Sequence, residues 1–154
     1  MSKKTHLEVN LKEVNPNLTS GPLRIRGHHL LCMQGFQGYG YNHDFAVHMQ
    51  EVVDFIMKKP SCDLELIAEC DELCSQCPNR EGKICSKDPR AEENIQRMDI
   101  LVLEKLGIPE GSKIQARKIL EHVNNVFKTR KNAMEVCRNC LWLDKCLWFM
   151  GKPI

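Results

Sequence analysis

Apolar residues recur at helical spacing in several stretches of the chain, and each stretch predicts an amphipathic helix. The clearest one follows Asn42, a candidate cap, and keeps its apolar residues from Phe45 to Ile56 on one face until Pro60 ends the helix. Further candidate helices begin at the pair Asp88-Pro89, at Ser112–Gln115, at Asn132 and, as a short turn, at HHLLC (28–32).

Two short stretches alternate apolar and polar residues, as half-buried strands do: LRIRG (23–27) and DLELIA (63–68). A strand, a helix and a second strand in this order favour a crossover unit with a small parallel sheet. We therefore expect a mainly α (α+β) fold with four to five helices, a small two-stranded sheet and a cysteine-rich metal-binding loop. With 154 residues the chain is long enough for one such domain, placed at residues 23–154 after an N-terminal arm, residues 1–22.

Composition and charge narrow the possible functions. The chain has no apolar run of 18 residues and its first residues lack the apolar core of a secretory signal, so we expect a cytoplasmic protein outside the membrane. The net charge of +2 does not indicate nucleic acid by itself. The segment from Lys128 to Lys152 contains six Lys or Arg and only two acidic residues. This positive charge could bind nucleic acid, or it could offset the charge of nearby thiolates.

Nine cysteines are the main chemical signal in the chain. In a reducing compartment, clustered cysteines indicate metal binding or catalysis rather than disulfides. The first group lies in CDELCSQCPNREGKIC, and we interpret it as a metal site formed by Cys70, Cys74, Cys77 and Cys85. A redox dithiol at Cys74 and Cys77 is the alternative.

The second group, in CRNCLWLDKC, supplies Cys137, Cys140 and Cys146 and leaves a four-ligand site one ligand short. If this segment is helical, Cys137 and Cys140 share one face. The fourth ligand must come from far away in the sequence, where Cys32 and Cys62 are the two thiols outside both groups. We favour Cys32, because its stretch is suited to the core, and interpret Cys62 as a loop thiol at a helix end.

The surroundings and the spacing of the second group favour an iron–sulfur cluster. Trp142, Trp148 and Phe149 would exclude water and tune a redox centre. The spacing of two and five intervening residues resembles the end of the 4Fe–4S loop in helix-hairpin-helix DNA glycosylases, with Arg130 where those proteins have a further cysteine. This resemblance favours a 4Fe–4S cluster over zinc and implies no glycosylase chemistry.

His28 and His29 stand at the junction between the first strand and the HHLLC turn. A histidine at this position could be a metal ligand, or a general acid or base beside the metal. Adjacent histidines at such a junction also bond to backbone groups, and the sequence leaves these roles open.

The stretches RIRGHHLLCMQGFQGYGY, DELCSQCPN and CRNCLWLDKC together resemble a small bacterial and archaeal family of cysteine-rich proteins, described as a domain of unknown function. The resemblance runs from about Leu23 to Trp148, and HHLLC with the glycine-aromatic loop after it is its most specific part. Members of the family are described as iron–sulfur-binding proteins. The resemblance therefore implies cysteine-bound iron and gives no substrate.

Two functions follow from these observations. The first is an iron–sulfur protein with one or two clusters, which carries electrons or senses redox state and meets a redox protein partner. The alternative is a structural zinc protein that serves as an interaction or nucleic-acid adaptor module, because tetrahedral sulfur ligation suits zinc as well as iron. An enzymatic activity involving His28 or His29 stays open.

Overall fold

The computed structural model describes residues 18, 21–39, 41–82, 84–85, 90–138, 140 and 143–154. The α-helices within these residues are α1 (His29–Gly35), α2 (His43–Lys58), α3 (Ala91–Leu106), α4 (Ala116–Val126), α5 (Arg130–Cys137) and α6 (Leu147–Met150). The strands are β1 (Leu23–Arg26), β2 (Asp63–Ile67), β3 (Arg80–Glu81), β4 (Ile84–Cys85) and β5 (Lys113–Gln115), and 3₁₀ helices span Glu72–Gln76 and Leu143–Lys145. The mainly α (α+β) prediction is confirmed.

The larger sheet has three strands in the order β1-β2-β5, one more than we expected. β1 and β2 pair in parallel, as the strand–helix–strand order predicted, and Ile25 lies beside Leu66. β5 adds to the other edge of β2 in the antiparallel direction. The expected helix cap at residues 112–115 is wrong, because this backbone pairs with β2 and α4 begins only at Ala116.

Short-range hydrogen bonds set the starts of two helices. The Asn42 side chain accepts a hydrogen bond from the Phe45 amide at 2.8 Å, so the predicted cap of α2 is confirmed. α5 begins earlier than expected, because Thr129 caps it and exchanges hydrogen bonds with Asn132 in a capping box. The pair Asp88-Pro89, the expected start of α3, lies outside the described residues.

The sheet and the helices enclose an apolar core. Its fully buried side chains include Ile25, Leu30, Val52, Leu64, Leu66, Val102, Ile119 and Phe127. Of the predicted arm, residues 18, 21 and 22 are described, and Leu18 is buried in this core. No helix in the described part of the chain is long and apolar enough to cross a membrane.

A glycine brings α3 close to the end of β1. A Cβ at Gly27 would lie 2.5 Å from the carbonyl oxygen of Asp99 in α3. The helix can approach the strand this closely because residue 27 has no side chain. This approach places the buried Asp99 beside the residues that follow β1.

Candidate metal centres

One group of thiols gathers where α1 meets the C-terminal segment, and we name it the C-terminal thiol cluster. Its members are Cys32 in α1, Cys137 at the end of α5, Cys140 and Cys146 immediately before α6. Burial raises the pKa of Cys32 well above its ordinary value, and the nearby thiols of the other three cysteines raise it further. Cys32 therefore lies within electrostatic range of the cysteines for which it was the expected fourth partner. That the four share one metal stays a prediction.

The C-terminal segment turns back on itself to bring its three thiols together. α5 ends at Cys137, and Cys140 is held by a turn in which its amide donates to the Cys137 carbonyl at 2.9 Å. The expectation that both cysteines lie on one helix is therefore wrong. Burial raises the pKa of Cys137 to about 12, with Cys140 and Cys146 adding to the effect and Lys152 opposing it.

Gly35 allows α6 to approach α1. Cys32 and Gly35 are three residues apart and share one face of α1. A Cβ at Gly35 would collide with Sγ of Cys146 and lie 3.1 Å from the Trp148 amide nitrogen. The Phe149 amide donates to the same Sγ at 3.4 Å. The sulfur of Cys146 thus lies directly against α1.

Aromatic and cationic side chains border the C-terminal thiol cluster. Trp148 is buried, meets Phe127 edge to face at 6.2 Å between ring centroids, and donates from Nε1 to Asn124 at 2.8 Å. The Nζ of Lys152 lies 4.0 Å from the centre of the Trp148 ring. Burial lowers the pKa of Lys152, while the thiols of the cluster oppose this shift. Trp142, expected to shield the site, lies outside the described residues.

A second group, which we name the cavity thiols, lines a cavity of about 70 Å³. Its members are Cys70, Cys74, Cys77 and Cys85, the four residues of the predicted metal site. His48 of α2 fixes their loop by donating from Nε2 to the Glu72 carbonyl at 2.9 Å. The Asn79 amide donates to Cys77 Sγ at 3.4 Å, and the Cys85 amide donates to Glu92 at 2.7 Å. The structure thus brings all four cysteines to one cavity.

The charged side chain of a buried arginine lies beside the cavity thiols. Nε of Arg26, which is 1% exposed, donates to Asp99 Oδ2 at 2.7 Å. Nη1 lies 3.8 Å from Cys70 Sγ and 4.0 Å from Cys74 Sγ. Burial disfavours the charge, but Asp99 and Cys74 together outweigh burial and raise the pKa of Arg26. The guanidinium therefore stays charged next to two sulfurs. Burial raises the pKa of Cys70 and Cys74, and the charge of Arg26 opposes this rise.

Both histidines of the strand–helix junction pair with a buried carboxylate. Nδ1 of His28 lies 2.7 Å from Asp99, and Nδ1 of His29 lies 2.8 Å from Asp71. Burial, followed by the adjacent His29, lowers the pKa of His28 despite the opposing Asp99. Burial would raise the pKa of both aspartates, but the charge and hydrogen bonds of their histidine partners lower it. These carboxylates therefore stay ionised and accept the hydrogen bond from Nδ1.

None of the nine cysteines, all of which the structure describes, forms a disulfide. Cys62 belongs to neither group of thiols. Burial raises its pKa, and its charged neighbours are Lys59 and Asp63 in the turn between α2 and β2. This position agrees with its interpretation as a loop thiol.

Two residues of these sites, Asp71 and Asp99, escaped the sequence analysis, and so did the burial of Arg26, which was expected to contact solvent or carboxylates. Asp99 shares the buried side of α3 with Val102 and Leu106. A single acid on an apolar helix face was therefore a usable signal, because a buried charge needs a partner. Asp71 had only its place beside the cysteines as a signal, and nothing local marked Arg26 as its neighbour.

The fold and the two groups of thiols define a small α+β protein with two candidate metal centres. Residues 40–146 match the family described as "Protein of unknown function (DUF1284)", and this match covers more than half of the chain. The chain belongs to that family. The matched residues include eight of the nine cysteines, while Cys32 and the HHLLC stretch precede them. No curated protein and no solved structure matches the chain.

Proposed function

We propose that the C-terminal thiol cluster binds an iron–sulfur cluster of the 4Fe–4S type, and that the protein uses it for electron transfer or redox sensing. The observation that carries this proposal is the approach of Cys32 to Cys137, Cys140 and Cys146. Four cysteine sulfurs from separate parts of the chain are the donor set that such clusters take. The residues present therefore fit the proposed cofactor.

The electrostatics of the C-terminal thiol cluster support a bound, positively charged centre. Burial raises the pKa of Cys32 and Cys137, and the negative charge that neighbouring thiolates carry raises it further. Bound iron offsets the cost of forming these buried thiolates, because each iron–sulfur bond replaces the proton of a thiol. Lys152 and the Phe149 amide offset part of the remaining negative charge. When bound, the cluster would supply one-electron chemistry, and these side chains would set its charge environment.

Spacing and burial favour a cluster over a single zinc ion. The spacing of Cys137, Cys140 and Cys146 resembles that of known 4Fe–4S loops. Buried Trp148 limits the access of water, which is one of the factors that tune a redox centre. A structural zinc site in an interaction or nucleic-acid adaptor module is the competing function, because four thiolates suit zinc equally well.

The proposed function also implies a cellular compartment and a partner protein. Nine cysteines without a disulfide suit a reducing compartment such as the cytoplasm. An electron-transfer role requires a redox protein as partner.

Anaerobic purification of the whole chain tests the proposed function through visible absorption, iron and sulfide analysis, and electron paramagnetic resonance of the reduced protein. We expect a coloured protein with about four iron ions per C-terminal thiol cluster. Cys32→Ala should remove this iron. Cys62→Ala, which changes a partly buried cysteine outside both groups, should retain it. A colourless protein that carries zinc, or an unchanged iron content in Cys32→Ala, contradicts the proposal.

A further inference from the structure

The cavity thiols support a second inference that does not depend on the proposed iron–sulfur cluster. His29 and Cys74 line the cavity, and His29, Asp71 and Cys74 each offer a possible ligand atom within 4.8 Å of the other two. An imidazole, a carboxylate and a thiol can serve a metal ion in more than one way. Their hydrogen bonds decide which of them are available.

Asp71 is fully engaged as a hydrogen-bond acceptor. Its Oδ2 accepts from the Arg26 backbone amide at 2.7 Å and from Nδ1 of His29 at 2.8 Å. Its Oδ1 accepts from the Cys74 amide at 3.2 Å. Moving this buried carboxylate onto a metal would leave buried donors without partners, which is costly. Asp71 therefore acts as an anchor that holds the His29 ring and the Cys74 backbone in place.

His29 keeps one ring nitrogen for another partner. Because the ionised Asp71 can only accept, Nδ1 of His29 is the donor in this pair, and Nε2 is the ring nitrogen left for a metal ion. His29 lines the cavity together with the four cysteines. Metal-binding histidines characteristically donate their other ring N–H to a carboxylate in this way, which fixes the tautomer and the ring orientation.

Charge favours a mixed set of ligands over four thiolates. Arg26 lies beside Cys70 and Cys74, but its charge is largely balanced by Asp99 at 2.7 Å. A divalent ion with four thiolates would leave two negative charges in the cavity, whereas three thiolates and a neutral imidazole leave one. The smaller buried charge carries the smaller desolvation cost.

We propose that the cavity binds a single divalent ion of the zinc class through Nε2 of His29 and three of the cavity thiolates, Cys74 among them. Asp71 is the positioning residue that orients His29. The fourth cavity thiol stays outside the coordination shell. The site is separate from the C-terminal thiol cluster, and its ligands combine nitrogen and sulfur.

Cadmium, used as a spectroscopic substitute for zinc, identifies the ligands directly. The full chain carries Cys137→Ser in this experiment, so that the C-terminal thiol cluster does not compete for the metal. Magnetic resonance of the protein with isotope-labelled histidine should show a through-bond coupling between cadmium and Nε2 of His29. Cadmium bound by thiols without this coupling, or coupled to His28 instead, overturns the proposal.

Zinc affinity in the same background, measured by competition with a chelator, tests the roles of His29 and Asp71. Asp71→Asn should weaken zinc binding by about 10–100-fold, the usual effect of losing an orienting partner, and His29→Gln by at least as much. His122→Gln is the control and should keep the affinity, because His122 bonds to the Leu106 carbonyl outside the cavity lining. Unchanged affinity in a folded His29→Gln protein overturns the proposal. If His29→Gln does not fold, the cadmium coupling decides the question.

Discussion

Gly35→Ala should weaken the contact between α1 and α6, although alanine is ordinarily the better helix residue by about 0.5–1 kcal/mol. The new Cβ would overlap Sγ of Cys146 and lie 3.1 Å from the Trp148 amide nitrogen. Carbon atoms in contact are normally about 3.5–4.0 Å apart, so α6 or the Cys146 side chain must shift by roughly one ångström. Overpacking of this kind costs about 1–3 kcal/mol, and we therefore expect a net loss of about 0–2.5 kcal/mol in the free energy of unfolding.

Chemical denaturation of the reduced, metal-free chain measures this loss, and a double-mutant cycle assigns it to the sulfur. In a Cys146→Ala background the new Cβ no longer meets Sγ, so the cost of Gly35→Ala should shrink by about 1 kcal/mol. Gly35→Ala alone should also lower the iron content of the anaerobically purified protein. A stabilised Gly35→Ala variant, or an equal cost in both backgrounds, would refute the close approach of Cys146 to α1.

Three further predictions concern buried charge and bound metal. Asp99→Ala leaves the buried Arg26 without its main partner and should lower the free energy of unfolding by about 3–5 kcal/mol. Glu69→Ala, which breaks the exposed pair with Arg24, should cost less than about 1 kcal/mol, and similar losses in the two variants would contradict the buried pair. The folded state lowers the pKa of His28, so the unfolded chain binds this proton at a higher pH than the folded protein does. The free energy of unfolding should therefore fall as the pH decreases below about 6.5. His28→Gln should reduce the dependence of the free energy of unfolding on pH in this range, measured by denaturation at a series of pH values. An unchanged dependence would argue against the lowered pKa of His28. A strong chelator should lower the thermal midpoint of metal-loaded protein, because the metal binds the folded state; an unchanged midpoint after complete metal removal would contradict that coupling.

The start of α2 depends on an interaction within a few residues and was predictable, whereas the equally local cap of α5 at Thr129 was missed. The Asn42 side chain accepts the Phe45 amide three residues later, so the start of α2 is visible in the sequence. The prediction for residues 112–115 was wrong because a distant element competed with the local pattern. Residues 112–115 resemble a helix cap, but their backbone pairs with β2, and this pairing determines their conformation.

For the candidate sites too, the local spacing of ligands was predictable from the sequence and the pairing of distant residues was not. The spacing of the cysteines indicated two groups of metal ligands, and the core-like stretch around Cys32 singled it out as a distant partner. Nothing in the sequence indicated that the two histidines would each pair with a buried aspartate. Those partners lie on the Cys70–Cys85 loop and on α3, so local spacing contains no record of them.

By itself, the sequence determined the bounds of α2, the presence of α1, α3, α4 and α5, the parallel strand pair and the donor atoms that lie together along the chain. Only the tertiary structure decided which distant groups meet: Arg26 with Asp99 across 73 residues, and His29 with Asp71 across 42. The physical reason is the range of the interactions involved. Helical periodicity and capping act over one or two turns, whereas these contacts form because β1, α1 and α3 pack on a shared core whose shape depends on all of its residues together.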